Sequence, residues 1–222
     1  MTGTVLDVHS VTHTYTLRHA AAVTALHDVD LVAERGELVC VSGPSGSGKS
    51  TLCHLAAGLE RPLRGTVRVS GHAPDRLRDW RMVAVAPQRH GLIPDLSVAE
   101  NVWLPVHYGA GYASEGEVYG DGAVAAALEL LDIAHIEGRM ARQTSLGEQQ
   151  RTAVARAIVL RPSLVVLDEP TSHQDDEHVD QVLEAFLAVR EHGTALLVAS
   201  HDERVMDVAD RTVRLDEGRV VS

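Results

Sequence analysis

Apolar and polar positions alternate in short runs near both ends of this chain and fall at helical spacing through its middle. Residues 5–9 and 25–31 carry the period of two that predicts strands, with a turn at Arg35-Gly36. Residues 37–42 read as a buried strand, and residues 50–57 as a helix ending at Gly58. Residues 64–71 form a further strand bounded by glycines, and residues 82–86 a short apolar one leading into Pro87-Gln88. Helical spacing then appears at residues 97–106 and 122–131, separated by a polar, glycine-rich stretch, 109–122, expected to be a surface loop. A helix is predicted from Glu148 to Leu160, stopping at Arg161-Pro162. Residues 163–167 and 194–199 read as buried strands, with a helix between them at 176–191 whose acidic start suits its dipole. Strands alternating with helices predict an α/β fold, a largely parallel sheet covered on both faces.

Composition narrows the class. A chain of 222 residues that is 45% hydrophobic can bury one substantial core, or a core with a small subdomain. A net charge of −11 argues against nucleic acid as a general partner, because no basic stripe is available to neutralise a phosphate backbone. The longest apolar runs, 164–167 and 195–199, are far too short to span a bilayer. No charged-then-apolar leader opens the chain, so a cytoplasmic location is expected. Cys40 and Cys53 flank one loop and read as small core residues, and the 13 histidines are scattered. A histidine metal cluster is therefore not expected.

Candidate chemistry concentrates in three places. Residues 43–51 read Gly-Pro-Ser-Gly-Ser-Gly-Lys-Ser-Thr and fit G-x-x-x-x-G-K-[ST], a loop whose amides cradle phosphates between a strand and a helix. Lys49 is the only lysine; the chain's other 19 basic residues are arginines, so a compact ammonium is required at this position. Lys49 is expected to reach the β- and γ-phosphates and Ser50 to hold Mg²⁺. Second, the apolar run 164–167 delivers Asp168 and Glu169 to the carboxyl end of a strand. Neighbouring strand residues face opposite ways, so both carboxylates cannot be buried in one core, but both can serve a site at the strand tip. Asp168 is expected in the Mg²⁺ shell and Glu169 at the attacking water. Third, Ser145 and Glu148 have capping-box spacing, so Ser145 should cap a helix beginning near Gly147 and leave a positive helix end able to hold a γ-phosphate.

With these motifs in this order, the chain resembles the ATPase subunits of ABC transporters over nearly its full length. Gly43, Pro44, Ser45, Gly46, Ser47, Gly48, Lys49, Ser50 and Thr51 match the family's Walker A motif, and Gln88 matches its Q-loop. Ser145 to Gln149, including Gly147 and Glu148, match the signature motif. Asp168 and Glu169 match the end of Walker B, residues 172–175 the D-loop, and His201 the switch histidine. Tyr15 lies where the family carries an aromatic that stacks on adenine. Two departures stand out. Leu146 replaces the first glycine of the usual Leu-Ser-Gly-Gly-Gln, and would be strained if its backbone needed φ > 0. His173 and Gln174 stand in the D-loop where small or aliphatic residues are usual.

The resemblance implies a P-loop NTPase (RecA-like) fold with an N-terminal antiparallel β subdomain and a small helical subdomain. It implies one ABC ATPase domain over 1–222, with the core at 1–88 and 161–222 and the helical part at about 89–160. It further implies ATP and Mg²⁺ as cofactors, with Ser50, Gln88 and Asp168 at the metal and Glu169, His201 and Gln88 in catalysis. Ser145, Gly147 and Glu148 would close over the γ-phosphate of a second copy, or of a homologous ATPase subunit, in a head-to-tail dimer. A separate transmembrane permease would be the partner, placing the chain on the inner face of the cell membrane. Residues 88–107 are either its docking surface or, through Leu92, Ile93, Leu96 and Val98, simply core. The Asn-Val-Trp-Leu-Pro run at 101–105 is similar to the lipoprotein-releasing and macrolide-exporting subgroup, which implies export of a hydrophobic peptide, lipid or drug. A regulatory ATPase signalling through a membrane partner without moving cargo is the alternative, and a phosphotransferase using the same loop a third.

Overall fold

The structure is a computed structural model that describes residues 3–16, 22–77, 79–109 and 121–221. In chain order the strands are β1 (Thr4–Tyr15), β2 (Val23–Glu34), β3 (Leu38–Ser42), β4 (Arg64–Val69), β5 (Val83–Ala86), β6 (Leu164–Asp168), β7 (Ala195–Ala199), β8 (Arg211–Asp216) and β9 (Arg219–Val220). The helices are α1 (Lys49–Ala56), α2 (Val98–Gly109), α3 (Asp121–Leu130), α4 (Leu146–Ile158), α5 (Asp176–Glu191) and α6 (Glu203–Val208).

Six strands form one sheet in the order β5-β6-β7-β3-β8-β9, parallel except at the β9 edge. Its central strands are apolar up to their carboxyl ends, where Ser42 and Asp168 stand, because both faces are covered. Alternate residues go to opposite cores: Leu38, Cys40, Val165, Leu167, Leu196 and Val198 face α2–α6. Val39, Val41, Leu164, Val166, Leu197 and Ala199 face α1 and the second sheet. That second sheet is antiparallel, in the order β2-β1-β4. The expected helix cover is thus asymmetric, since one face carries a single helix and borrows the antiparallel sheet for the rest. Cys40 and Cys53 are free thiols buried in these cores. No helix among the described residues is long and apolar enough to cross a membrane.

The elements read from periodicity are present, with different limits. β1 and β2 run well past the short strands expected, because each packs its alternate apolar residues against the core while the other positions meet solvent. The surface loop expected at 109–122 is corrected at both ends: Gly109 closes α2 and Gly122 lies within α3. Residues 110–120 of that stretch lie outside the described residues. In the segment after Gln88, Val98 is fully buried and Leu92 packs on the core, whereas Ile93 is 45% exposed. Asn101, fully buried, holds this segment by accepting from the Ile93 amide at 2.8 Å and donating to the carbonyls of Ile93, Leu96 and Ser97.

Phe186 on α5 heads the fully buried side chains by volume. Phe186→Ala should lower the unfolding free energy by about 3–5 kcal/mol, the usual cost of an aromatic-sized cavity. A denaturant midpoint close to that of the parent would show that α5 is not part of the cooperative core.

Candidate active site

β3 ends at Ser42 and the chain turns through residues 43–48 before α1 starts at Lys49. Two glycines make this turn possible. Gly43 has φ +142°, and a Cβ there would lie 2.1 Å from the Leu215 carbonyl oxygen of β8. Gly48 has φ +105° and would meet the Ala25 carbonyl of β2 at 2.5 Å. With Gly48 as N-cap, no side chain covers the first amides of α1, and that end keeps its affinity for anions. The Lys49 ammonium folds over the loop, donating to Gly43 O at 2.8 Å and Pro44 O at 3.2 Å. Beside it opens a cleft of about 520 Å³, lined by Ala25, most of the loop from Gly43 to Thr51, Gln88, Glu169, Ser172 and His201.

β6 delivers the two carboxylates differently: Glu169 lines this cleft, whereas Asp168 is buried and does not. Asp168 is 3% exposed, and its Oδ1 has no hydrogen-bond partner among the described residues. Its charge is felt across the core. Burial first, and Asp168 second, hold the Cys53 thiol of α1 well above its ordinary pKa. An unpaired buried carboxylate oxygen beside the start of a phosphate-binding helix fits a divalent cation. Glu169 leaves the strand with φ +53°, so its side chain turns out toward the cleft. There Glu169 Oε2 lies 2.8 Å from His201 Nδ1, and with Glu169 ionised the imidazole is the donor.

Ser145, Gly147 and Glu148 are not in this cleft. They line a second one of about 630 Å³, together with Leu146, Arg151 and residues 173–175. The capping box is formed: Ser145 Oγ accepts from the Glu148 amide at 3.2 Å, and the Glu148 carboxylate accepts from the Ser145 amide at 2.6 Å. Burial works to raise the Glu148 pKa, but the Ser145 amide and hydroxyl outweigh it and hold the carboxyl below its ordinary value. The strain considered for Leu146 is absent. Extended backbone at Ser145 (φ −65°, ψ 164°) makes Leu146 the first helical residue, with no positive φ and a side chain 55% exposed.

Tyr15, at the end of β1, is not among the residues lining the first cleft; its hydroxyl is 2.9 Å from Glu60 Oε2 and 3.3 Å from Thr51 Oγ1 of α1. Burial, with Glu60 adding to it, raises the phenol pKa.

Several contributors carry no motif signal. Ala25 lines the first cleft only because the fold brings β2 there, and no local pattern marks it. Arg156 of α4 donates to the carbonyls of His90 and Gly91, tying the segment after Gln88 to that helix. The D-loop's Gln174 donates to Gly147 O at 3.0 Å and accepts from Arg151 at 2.8 Å. A polar residue at a position that is usually aliphatic was the available signal for this last contact.

Comparison with known proteins agrees with this geometry. The family profile described as "ABC transporter" matches residues 26–172. The lipoprotein-releasing system ATP-binding protein LolD of Roseobacter denitrificans is 35% identical, covering 99% of each chain. The uncharacterized ABC transporter ATP-binding protein YknY of Bacillus subtilis is 34% identical, covering 88% of this chain and 86% of that one. A dimeric post-hydrolysis structure of the ATP-binding cassette MJ0796 bound to ADP and Pi superposes with TM-score 0.87 at 28% identity, covering 98% and 97% of the two chains.

Gln174→Leu would strand Arg151, which is only 4% exposed and whose Nε already lacks a partner among the described residues. The expected loss is about 1.5–3 kcal/mol of folding stability, the range for a hydrogen bond to a charged group. Equal unfolding midpoints for the two proteins would show that the contact carries no weight.

Proposed function

The chain belongs to the ABC transporter family, and from that premise we propose that it works as one half of a pair, closing over ATP to drive a separate membrane-spanning partner. As an ABC ATPase it binds and hydrolyses ATP. The observation that carries the paired reading is the division of the motifs between two clefts on one chain. The end of α4 cannot serve its own chain's phosphate loop while it lines a different cleft, but it can serve a second copy's. The dimeric arrangement of the MJ0796 cassette supports this reading.

Within one site the proposed roles rest on the motif matches, with contacts in support at Lys49, Glu169 and His201. The loop amides and Lys49 grip the triphosphate, with the ammonium exchanging the Gly43 and Pro44 carbonyls for phosphate oxygens. Tyr15 carries the adenine. Ser50, Gln88 and Asp168 would hold Mg²⁺, which supplies charge neutralisation at the phosphates when bound. Glu169 accepts the proton of the attacking water. His201 holds one of its carboxylate oxygens and so orients the other. Ser145, Gly147 and Glu148 of the second copy cap the γ-phosphate with a helix end.

The partner reading gives the chain a place at the inner face of a membrane, bound to a permease. The names of the lipoprotein-releasing relatives support a lipid-bearing or otherwise hydrophobic cargo moved outward.

Glu169→Gln should keep ATP binding while cutting turnover about 10²- to 10⁴-fold, the usual contribution of a positioned base. Phosphate release and light scattering in ATP read both effects, and the ATP-bound variant should run as a dimer. Undiminished turnover would remove Glu169 from its role, and a monomer under all conditions would remove the paired mechanism. Lys49→Arg should weaken ATP binding although the charge is kept, because a guanidinium cannot occupy the space of a point ammonium. Wild-type affinity in a binding titration would contradict the role given to the solitary lysine.

A further inference from the structure

One polar cluster is centred outside the phosphate cleft, and its centre belongs to none of the motifs, although two of its members, Tyr15 and Thr51, do. Its centre is Glu60, four residues past the end of α1. The turn that puts it there depends on Gly58, at φ +72°, where a Cβ would collide with Pro74 backbone at 2.5 Å. The Leu59 amide then donates back to His54 O at 2.9 Å, so the chain reverses beneath β1.

Three side chains converge on the Glu60 carboxylate. The Tyr15 hydroxyl is 2.9 Å from Oε2, His13 Nε2 is 3.0 Å from the same oxygen, and His54 Nδ1 is 3.4 Å from Oε1. His13 and Tyr15 lie two residues apart on β1, and their rings meet edge to face at 4.9 Å. His13 is 12% exposed at its side chain and Glu60 29%, so the group is partly withdrawn from water. Thr51, in the first turn of α1 and the last residue of the phosphate-binding motif, lies 3.3 Å from the same phenol oxygen.

We propose that Glu60 is a positioning residue for the nucleotide base: with His13 it fixes the Tyr15 ring at a set place relative to the phosphate loop. This rests on the reading of Tyr15 as the adenine platform. A nucleotide has a fixed span between base and phosphates, whereas Tyr15 and the loop belong to different sheets. Something must hold the two at matching separation. Glu60 does so by anchoring the phenol from the segment after α1, and Thr51 touches the same oxygen from the first turn of α1, which adjoins the loop. A phenol held at its hydroxyl by a carboxylate loses its ring rotation before the ligand arrives, so binding does not carry that ordering cost. The His13 ring meets Tyr15 in a T-shaped contact, interplanar angle 76°, and so restrains the ring's orientation as well as its hydroxyl. Val23, which pairs with Tyr15 across the strands and is 55% exposed, extends the apolar surface beside it.

The test compares binding of magnesium-ATP with that of inorganic tripolyphosphate, which has phosphates and no base, on the full chain. Glu60→Ala and Tyr15→Phe should each weaken ATP binding about three- to tenfold, the cost of ordering one side chain on binding. The double variant should be no weaker than either, and tripolyphosphate affinity should stay at the parent value. Tyr15→Phe deletes a single oxygen, and it carries the test alone if Glu60→Ala does not fold. Equal weakening of ATP and tripolyphosphate would mean that Glu60 only braces the fold, and the inference is then wrong. If Tyr15→Ala weakens ATP while Glu60→Ala and Tyr15→Phe do not, the base platform stands and Glu60 has no part in it. If Tyr15→Ala leaves ATP binding unchanged, the platform itself fails and takes this inference with it.

Discussion

Everything at the first cleft depends on a backbone loop being held open by other backbone. An anion cradle of amides must keep its N–H groups pointing inward, although unoccupied amides would otherwise turn to the nearest carbonyls. Here the turn is wedged in place: the Leu215 carbonyl of β8 closes on Gly43 from one side, and the Ala25 carbonyl of β2 closes on Gly48 from the other. The Ser47 carbonyl in turn accepts from the Gly218 amide between β8 and β9 at 3.0 Å. The loop is thus clamped between the parallel sheet and the antiparallel one. That is why the second sheet is needed at all, on a face that α1 alone does not cover.

The two clefts of one chain are not independent. β6 ends at Asp168, next to Glu169, and the segment that follows reaches the start of α4 through Gln174. Gln150 donates to the Glu169 carbonyl at 3.4 Å, and Gln174 joins both Gly147 and Arg151. The same helix holds the segment after Gln88 through Arg156. Each of these ties involves a backbone carbonyl or a deeply buried guanidinium, so none can slide without leaving a polar group unpaired. A displacement of α4 therefore carries along the neighbourhoods of Glu169 and Gln88. In the proposed pair, the helix end that meets one nucleotide would be mechanically joined to the carboxylate acting on the other. The unusual Gln174 strengthens that joint, where an aliphatic residue could only pack.

What was legible in the sequence was whatever is local. The phosphate loop spans nine consecutive residues, and its strand and helix adjoin it, so pattern and structure coincide there. The capping box at Ser145 and Glu148 is a spacing of three and was readable for the same reason. Helix α6 and strand β8 escaped notice: α6 has six residues with one buried side chain, Val205, and β8 sets Arg211 and Arg214 among its apolar positions. Each is too short, with too few apolar positions, for its period to stand out. The contacts of Tyr15 with Glu60, 45 residues away, and of Gln174 with Gly147 were illegible because topology, not spacing, creates them. The division of the motifs between two clefts could be anticipated only from resemblance, since nothing in a periodic pattern says which strand ends share a face.

The electrostatics of the first cleft also explain why its chemistry is so economical in side-chain cations. On a chain of net charge −11, a triphosphate in this cleft must settle beside Glu169, with the buried Asp168 next to it in sequence. One ammonium and a helix end, equivalent to about half a positive charge, cannot balance that many anionic oxygens. The buried Asp168 oxygen with no partner among the described residues is costly on its own terms. A divalent cation between it and the phosphates would remove both problems at once. On this argument Asp168 is kept unpaired by the fold because its partner is meant to arrive with the nucleotide. Glu169, turned toward the cleft with a positive φ and held by His201, would be left for the proton-accepting role proposed for it.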